Sequence, residues 1–133
     1  MFARKLDRLD RLGILSGNRF PALRKRASVC FITMLAMRAG YRKIVLCGID
    51  LNNADYFYAR NREALEAQGY IVPPPPRPSN QPHKTEDPSF GSLTVSVVLD
   101  LLNQRIMKKR RIELFVALQS SKLYPMLPSY FGH

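Results

Sequence analysis

The chain has 133 residues, which allows one small domain. Hydrophobic residues make up 46% of it, too many for a disordered chain, and no apolar run reaches the ~18 residues a membrane helix needs. The formal net charge is +11. That balance favours an anionic partner: nucleic acid, acidic lipid headgroups or a nucleotide phosphate. A solvated helix face has the same composition, so charge alone does not choose.

The opening, Met1-Phe2-Ala3-Arg4-Lys5-Leu6-Asp7, runs straight into charged residues rather than an apolar leader. The expected compartment is the cytoplasm, with or without contact to the inner face of a membrane. Residues 3–13 predict a short helix, with Leu6, Leu9 and Leu12 spaced for one face. Together with the loop to residue 20 it forms a basic N-terminal segment. Residues 1–26 hold eight basic side chains against Asp7 and Asp10. A second helix is predicted over 22–39, with Pro21 before it and Gly40 as its stop.

Lys43-Ile44-Val45-Leu46-Cys47-Gly48-Ile49-Asp50 is a continuous apolar run of strand length. Such runs belong to strands buried on both faces, as in parallel sheets. Ligands bind at the carboxyl ends of those strands, which nominates Gly48, Asp50, Asn52 and Asn53. Residues 61–69 predict a short amphipathic helix. The prolines at 73–76 and 78 predict a stiff polyproline loop over 73–82. Asp87-Pro88 has the form of a helix start. Val95, Val98, Leu99, Leu102 and Ile106 make a helical stripe, so one helix is expected over about 89–108.

Arg111 to Leu118 reads as a second strand, parallel to the first through a helical crossover, and a turn-rich tail follows. A second basic cluster, Arg105 and Lys108 to Arg111, precedes that strand. The predicted class is a single α/β domain, a fragment of a Rossmann-like parallel sheet. Its core should hold Ile44, Leu46, Ile49, Leu114, Val116, Phe31, Leu35, Val98 and Leu102. Cys30 and Cys47, both in apolar surroundings, are expected as buried free thiols. Two strands are few for an independent sheet. More are expected from a second copy or from a missing N-terminal half.

Few residues here carry chemistry. His83 lies in a loop with Thr85, Glu86 and Asp87, where a histidine can act as a general base or be an ordinary surface residue. His133 is terminal, so a histidine-rich metal site is not expected. Walker A and GxGxxG cradles are absent. Asp55-Tyr56-Phe57-Tyr58 is an aromatic cluster that suits packing or phosphate donation. Ser28 lies early in the second helix, where a hydroxyl and free N–H groups suit a nucleotide.

In order, Ser28, the run Ala39-Gly40-Tyr41 through Gly48-Ile49-Asp50, Tyr58-Ala59, and His83 with Thr85 and Asp87 resemble the second half of glycosyltransferase family 42. These are the bacterial sialyltransferases that decorate lipo-oligosaccharide. Residues 112–118 and Ser120-Ser121-Lys122-Leu123 resemble the family's closing strand and its serine-containing turn. The resemblance implies a GT-A-variant fold and metal-independent transfer of sialic acid from CMP-sialic acid to a sugar hydroxyl, with no resident cofactor. It implies His83 as the general base, Tyr58 as a donor to the departing phosphate, and Ser28, Gly48, Asp50, Asn52 and Ser121 around the nucleotide.

The sequence departs from the family at two places. With no gap allowed, Asn52 stands where the family has its other phosphate tyrosine, and Tyr56 takes that place only with a shifted loop. The nucleotide loop on the family's first strand has no counterpart, which implies a half-built site and little transfer by this chain alone. The competing reading is a small basic module for nucleic acid or a membrane surface. No RNP motif, zinc finger or helix-turn-helix pattern supports the nucleic-acid form.

Overall fold

The computed structural model describes residues 1–14, 27–52, 61–74, 83–91 and 93–131. In chain order these form α1 (Phe2–Arg11), α2 (Ser28–Arg38), β1 (Lys43–Leu46), α3 (Arg62–Ala67), α4 (Val95–Leu102) and β2 (Glu113–Val116). The architecture is α/β: helices around a two-stranded parallel sheet. Ile44 lies opposite Leu114, and Leu46 opposite Val116. These four side chains are buried, as two apolar strand runs require.

The strands are shorter than their apolar runs. Gly48 turns left-handed at φ 68° and takes the chain off the ladder beyond Leu46. Arg111, at φ 56°, sets the turn into β2. The stop at Gly40 is as expected. Its φ is 89°, its N–H donates to the Met37 carbonyl, and the Tyr41 N–H reaches back to Ala36. Those two bonds satisfy carbonyls that the end of α2 leaves open.

The long helix expected over 89–108 is segmented. Asp87 does accept a hydrogen bond from the Ser89 N–H, but it caps only a single 3-10 turn, Pro88–Phe90. Gly91 then leaves helical geometry at φ 138°. The working cap is Thr94, whose hydroxyl accepts from the Val97 N–H and starts α4. After Leu102 the helix widens into a π turn, Asn103–Met107, and tightens into a 3-10 turn, Lys108–Arg110. Ile106 and Met107 are both fully buried.

One core joins Leu6, Cys30, Met34, Val98, Leu99, Leu102, Ile106 and the strand residues. Ile49 and Phe31 are half-buried. Leu35, expected inside, is 41% exposed. The inward face of α2 is Cys30, Thr33, Met34 and Met37, a spacing of three, one and three, and Leu35 falls off that stripe. Cys47 is likewise exposed rather than buried, because β1 ends before it. No residue of α3 is buried, so its short amphipathic stripe covers nothing in the core.

The two edges of the sheet differ. The tail folds back on β2: the Val116 N–H donates to Pro128, and the Tyr130 N–H donates to Val116. Leu123 and Leu127 of the tail are fully buried beneath it. On the other side, β1 turns the carbonyls of Arg42 and Leu46 toward β2, where the Glu113 and Ala117 N–H groups donate to them. The alternation of a parallel ladder then directs the backbone groups of Val45 to the outer edge. Among the described residues no strand pairs there.

Candidate functional site

Each strand leaves its carboxyl end into a loop, and hydrogen bonds lock the two loops together. After β1, the chain passes through Gly48 and Asp50 to Leu51, a left-handed residue at φ 59°. After β2 comes the turn around Ser120 and Ser121. The Ser121 hydroxyl donates to the Ile49 carbonyl at 2.7 Å. The Lys122 N–H donates to the Asp50 carbonyl at 2.8 Å. The Asn52 amide donates to the Ser120 carbonyl. Asn52 thus acts as a bracket between the loops, and Ser121 is buried with its hydroxyl engaged.

Asp50 and Gly48 remain exposed. A Cβ built on Gly48 would meet nothing within 4 Å, so the space above it is open. Ser28 is exposed at the first position of α2, whose N-terminus has no side-chain cap. Between α2 and the outer edge of β1 runs an apolar groove of about 450 Å³. Ser28 sits in its wall with Val29, Ile32, Ala36, Val45 and Cys47.

His83 is half-buried in a turn closed by the Glu86 N–H donating to its carbonyl at 2.7 Å. Its Nδ1 lies 2.7 Å from the Thr85 hydroxyl and accepts the Thr85 N–H at 3.3 Å. With Nδ1 accepting both, a neutral ring carries its proton on Nε2. For Nε2 to take a proton instead, Nδ1 must hold one, give up the bond from the Thr85 N–H, and donate to the Thr85 hydroxyl over the same 2.7 Å.

Glu86 ties this turn to the rest. Its carboxylate is buried and accepts from the Ser96 N–H at 2.8 Å and from the Ser96 hydroxyl. Negative charge set against the N-terminal end of α4 also suits the helix dipole. Its Oε2, the oxygen that takes the Ser96 hydroxyl, also lies 3.5 Å from Lys122 Nζ. Since the Lys122 backbone holds Asp50, the His83 turn, α4 and the two strand-end loops share one set of contacts. Nothing in the sequence marked Glu86 as buried, because its partners are ten and thirty-six positions away.

Tyr58, Asn53, the aromatic cluster at 55–58, the prolines at 75, 76 and 78, and His133 lie outside the described residues. Among those described, no group of three His, Cys, Asp or Glu side chains is placed to hold a metal ion. No described helix is long and apolar enough to cross a membrane. Compared with known proteins, the chain matches no family model, no curated protein and no solved structure.

Behind the site, burial pushes the Cys30 thiol up to about 11; a backbone hydrogen bond opposes the shift and the Glu86 charge adds to it. The unfolded thiol releases its proton near 9.0, while the folded one still holds it. This contribution to stability is therefore complete below pH 9 and is lost as pH rises toward about 11. Reactivity follows the same logic, because the thiolate is the nucleophile. In the folded protein iodoacetamide should modify Cys47, which is exposed, and leave Cys30 untouched until denaturant is added. Peptide mapping of the alkylated protein checks this. Equal labelling of both thiols would contradict the burial of Cys30.

Proposed function

We propose that the chain forms the carboxyl-side half of a sialyltransferase-like glycosyltransferase domain, with a Rossmann-like sheet of the GT-A-variant kind. The donor would be CMP-sialic acid and the acceptor a sugar hydroxyl, in synthesis of a surface glycan such as lipo-oligosaccharide. The setting would be the cytoplasm or the inner face of the membrane. One observation carries the reading: the Gly-Ile-Asp loop after β1 is bonded to the serine turn after β2 through Ser121 and Lys122. Those are two of the segments that resemble family 42, and they meet at the strand ends where α/β sheets bind ligands.

In this reading Ser28, Gly48 and Asp50 border the nucleotide. Ser121 supports the nucleotide from beneath by fixing the Ile49 carbonyl. Tyr58 would donate to the departing phosphate. His83, oriented by Thr85, takes the proton of the acceptor hydroxyl, and no metal or cofactor is required. The outer edge of β1, which no described strand pairs, and the apolar groove beside it suit a further parallel strand, the one that would bring the nucleotide loop. Without it the site contacts one side of the nucleotide only.

The test is a titration with CMP followed by backbone amide shifts. Saturable shifts are expected at Ser28, Gly48, Asp50 and His83, with weak affinity and little sialyl transfer by the chain alone. An equal response to inorganic phosphate would reduce the site to a charge effect. Shifts confined to the cations of α1, or none at all, would defeat the assignment, as would robust turnover without a partner.

A further inference from the structure

We infer that the outward face of α1 is a docking surface for a membrane rich in anionic headgroups. The inference rests on α1 and its neighbours alone and stands apart from the transferase reading. Leu6 of α1 is fully buried, and Phe2 and Leu9 pack against the core. Both acidic residues of the helix are turned inward to the basic turn before β2. Asp7 meets Arg105 at 3.0 Å and Lys109 at 3.8 Å, and Asp10 meets Arg110.

That arrangement leaves the outer face of α1 with one sign of charge. Arg4, Lys5, Arg8 and Arg11 are all exposed, and no described carboxylate lies against them. Their spacing of one, three and three places them along a single stripe. Arg8 and Arg11 also fall in the last helical turn, where the dipole favours cations. Beside the stripe is a shallow groove of about 480 Å³, bordered by Arg4, Lys5 and Arg8 and floored by Leu9 and Leu12. Leu12 is 60% exposed.

Cations around an apolar floor match a lipid headgroup above the acyl boundary, which asks for both contacts at once. A nucleic acid would make the phosphate contacts but gain little from Leu12. Among the described residues α1 also offers it no base-stacking ring, because Phe2, the aromatic residue of the helix, is turned to the core. The helix would lie in the plane of the surface, ten residues long, with its polar stripe at headgroup level.

The experiment is co-sedimentation of the full chain with vesicles. One set holds phosphatidylglycerol and phosphatidylcholine in equal parts, and the other holds phosphatidylcholine alone. Binding is expected to the anionic vesicles only and should weaken with salt. Each surface cation is worth about fivefold, so Arg8→Ala with Arg11→Ala should lower affinity about 30-fold. The same charge loss at Arg38 and Arg62 should leave it within about twofold. Leu12→Ser should weaken vesicle binding and leave any binding to duplex DNA unchanged. Circular dichroism confirms that each variant stays folded. Equal binding to neutral vesicles, or no loss in the Arg8/Arg11 variant, would overturn the inference. So would tight, salt-sensitive DNA binding without vesicle binding, which would make the patch a nucleic-acid surface.

Discussion

Replacing Leu99 by alanine is expected to lower the unfolding free energy by about 2–5 kcal/mol. Leu99 is fully buried on α4, within the core that joins α2, the π turn and both strands. Truncation removes apolar contact and leaves a cavity that the surrounding core closes only in part. A small domain has about 5–15 kcal/mol to lose, so the variant should unfold at a much lower urea midpoint. Leu35→Ala is the internal control. At 41% exposure on the outer side of α2, it should move stability by no more than about 0.5 kcal/mol. If the two variants lose the same midpoint, the inward face of α2 has been assigned to the wrong residues.

That pair also marks where the fold could be read from the sequence. The strands were legible because short unbroken apolar runs, 44–47 and 114–118, suit little except a buried strand. Their parallel pairing followed from the capped helical stripe between them. The face of α2 was not legible. Nearly every position from Val29 to Met37 is apolar or small, so the pattern has no polar side to orient it. Only contact with α4 and β1 selects Cys30, Thr33, Met34 and Met37.

Helix boundaries failed for a similar reason. Asp87-Pro88 has the chemistry of a cap, and so does Thr94, and sequence cannot say which of two caps begins the long helix. Gly91 decides it by leaving helical geometry between them. The site was half legible. Gly48, Asp50 and Asn52 follow from the place where β1 ends. Glu86 did not stand out, because a charged residue in a polar loop carries no signal of burial. Its meaning comes from Ser96 and Lys122, which only folding brings to it.

If the proposed transferase reading holds, the second large effect is expected at His83, in a chimera that carries a nucleotide loop. On the proposed reading, joining the N-terminal half of a family 42 transferase to this chain would supply a nucleotide loop and a strand for the outer edge of β1, which no described strand pairs. Such a chimera should transfer sialic acid from CMP-sialic acid, and His83→Ala should slow it about 10²–10⁴-fold, the usual worth of a general base. The loss should fall mainly on kcat, since in the proposed reading the ring would act on the acceptor proton rather than on the nucleotide. Thr85→Val should also slow transfer, because it removes the hydroxyl that must accept from Nδ1 while Nε2 takes the proton. Its signature is a changed pH profile with unaltered CMP affinity, which a loss of packing would not produce. Glu86→Gln keeps the shape but removes the charge that faces Lys122, and should loosen the His83 turn less than Glu86→Ala does. A chimera that transfers at the same rate with alanine at position 83 would remove the base from this turn. A folded chimera that binds no CMP would remove the transferase reading with it.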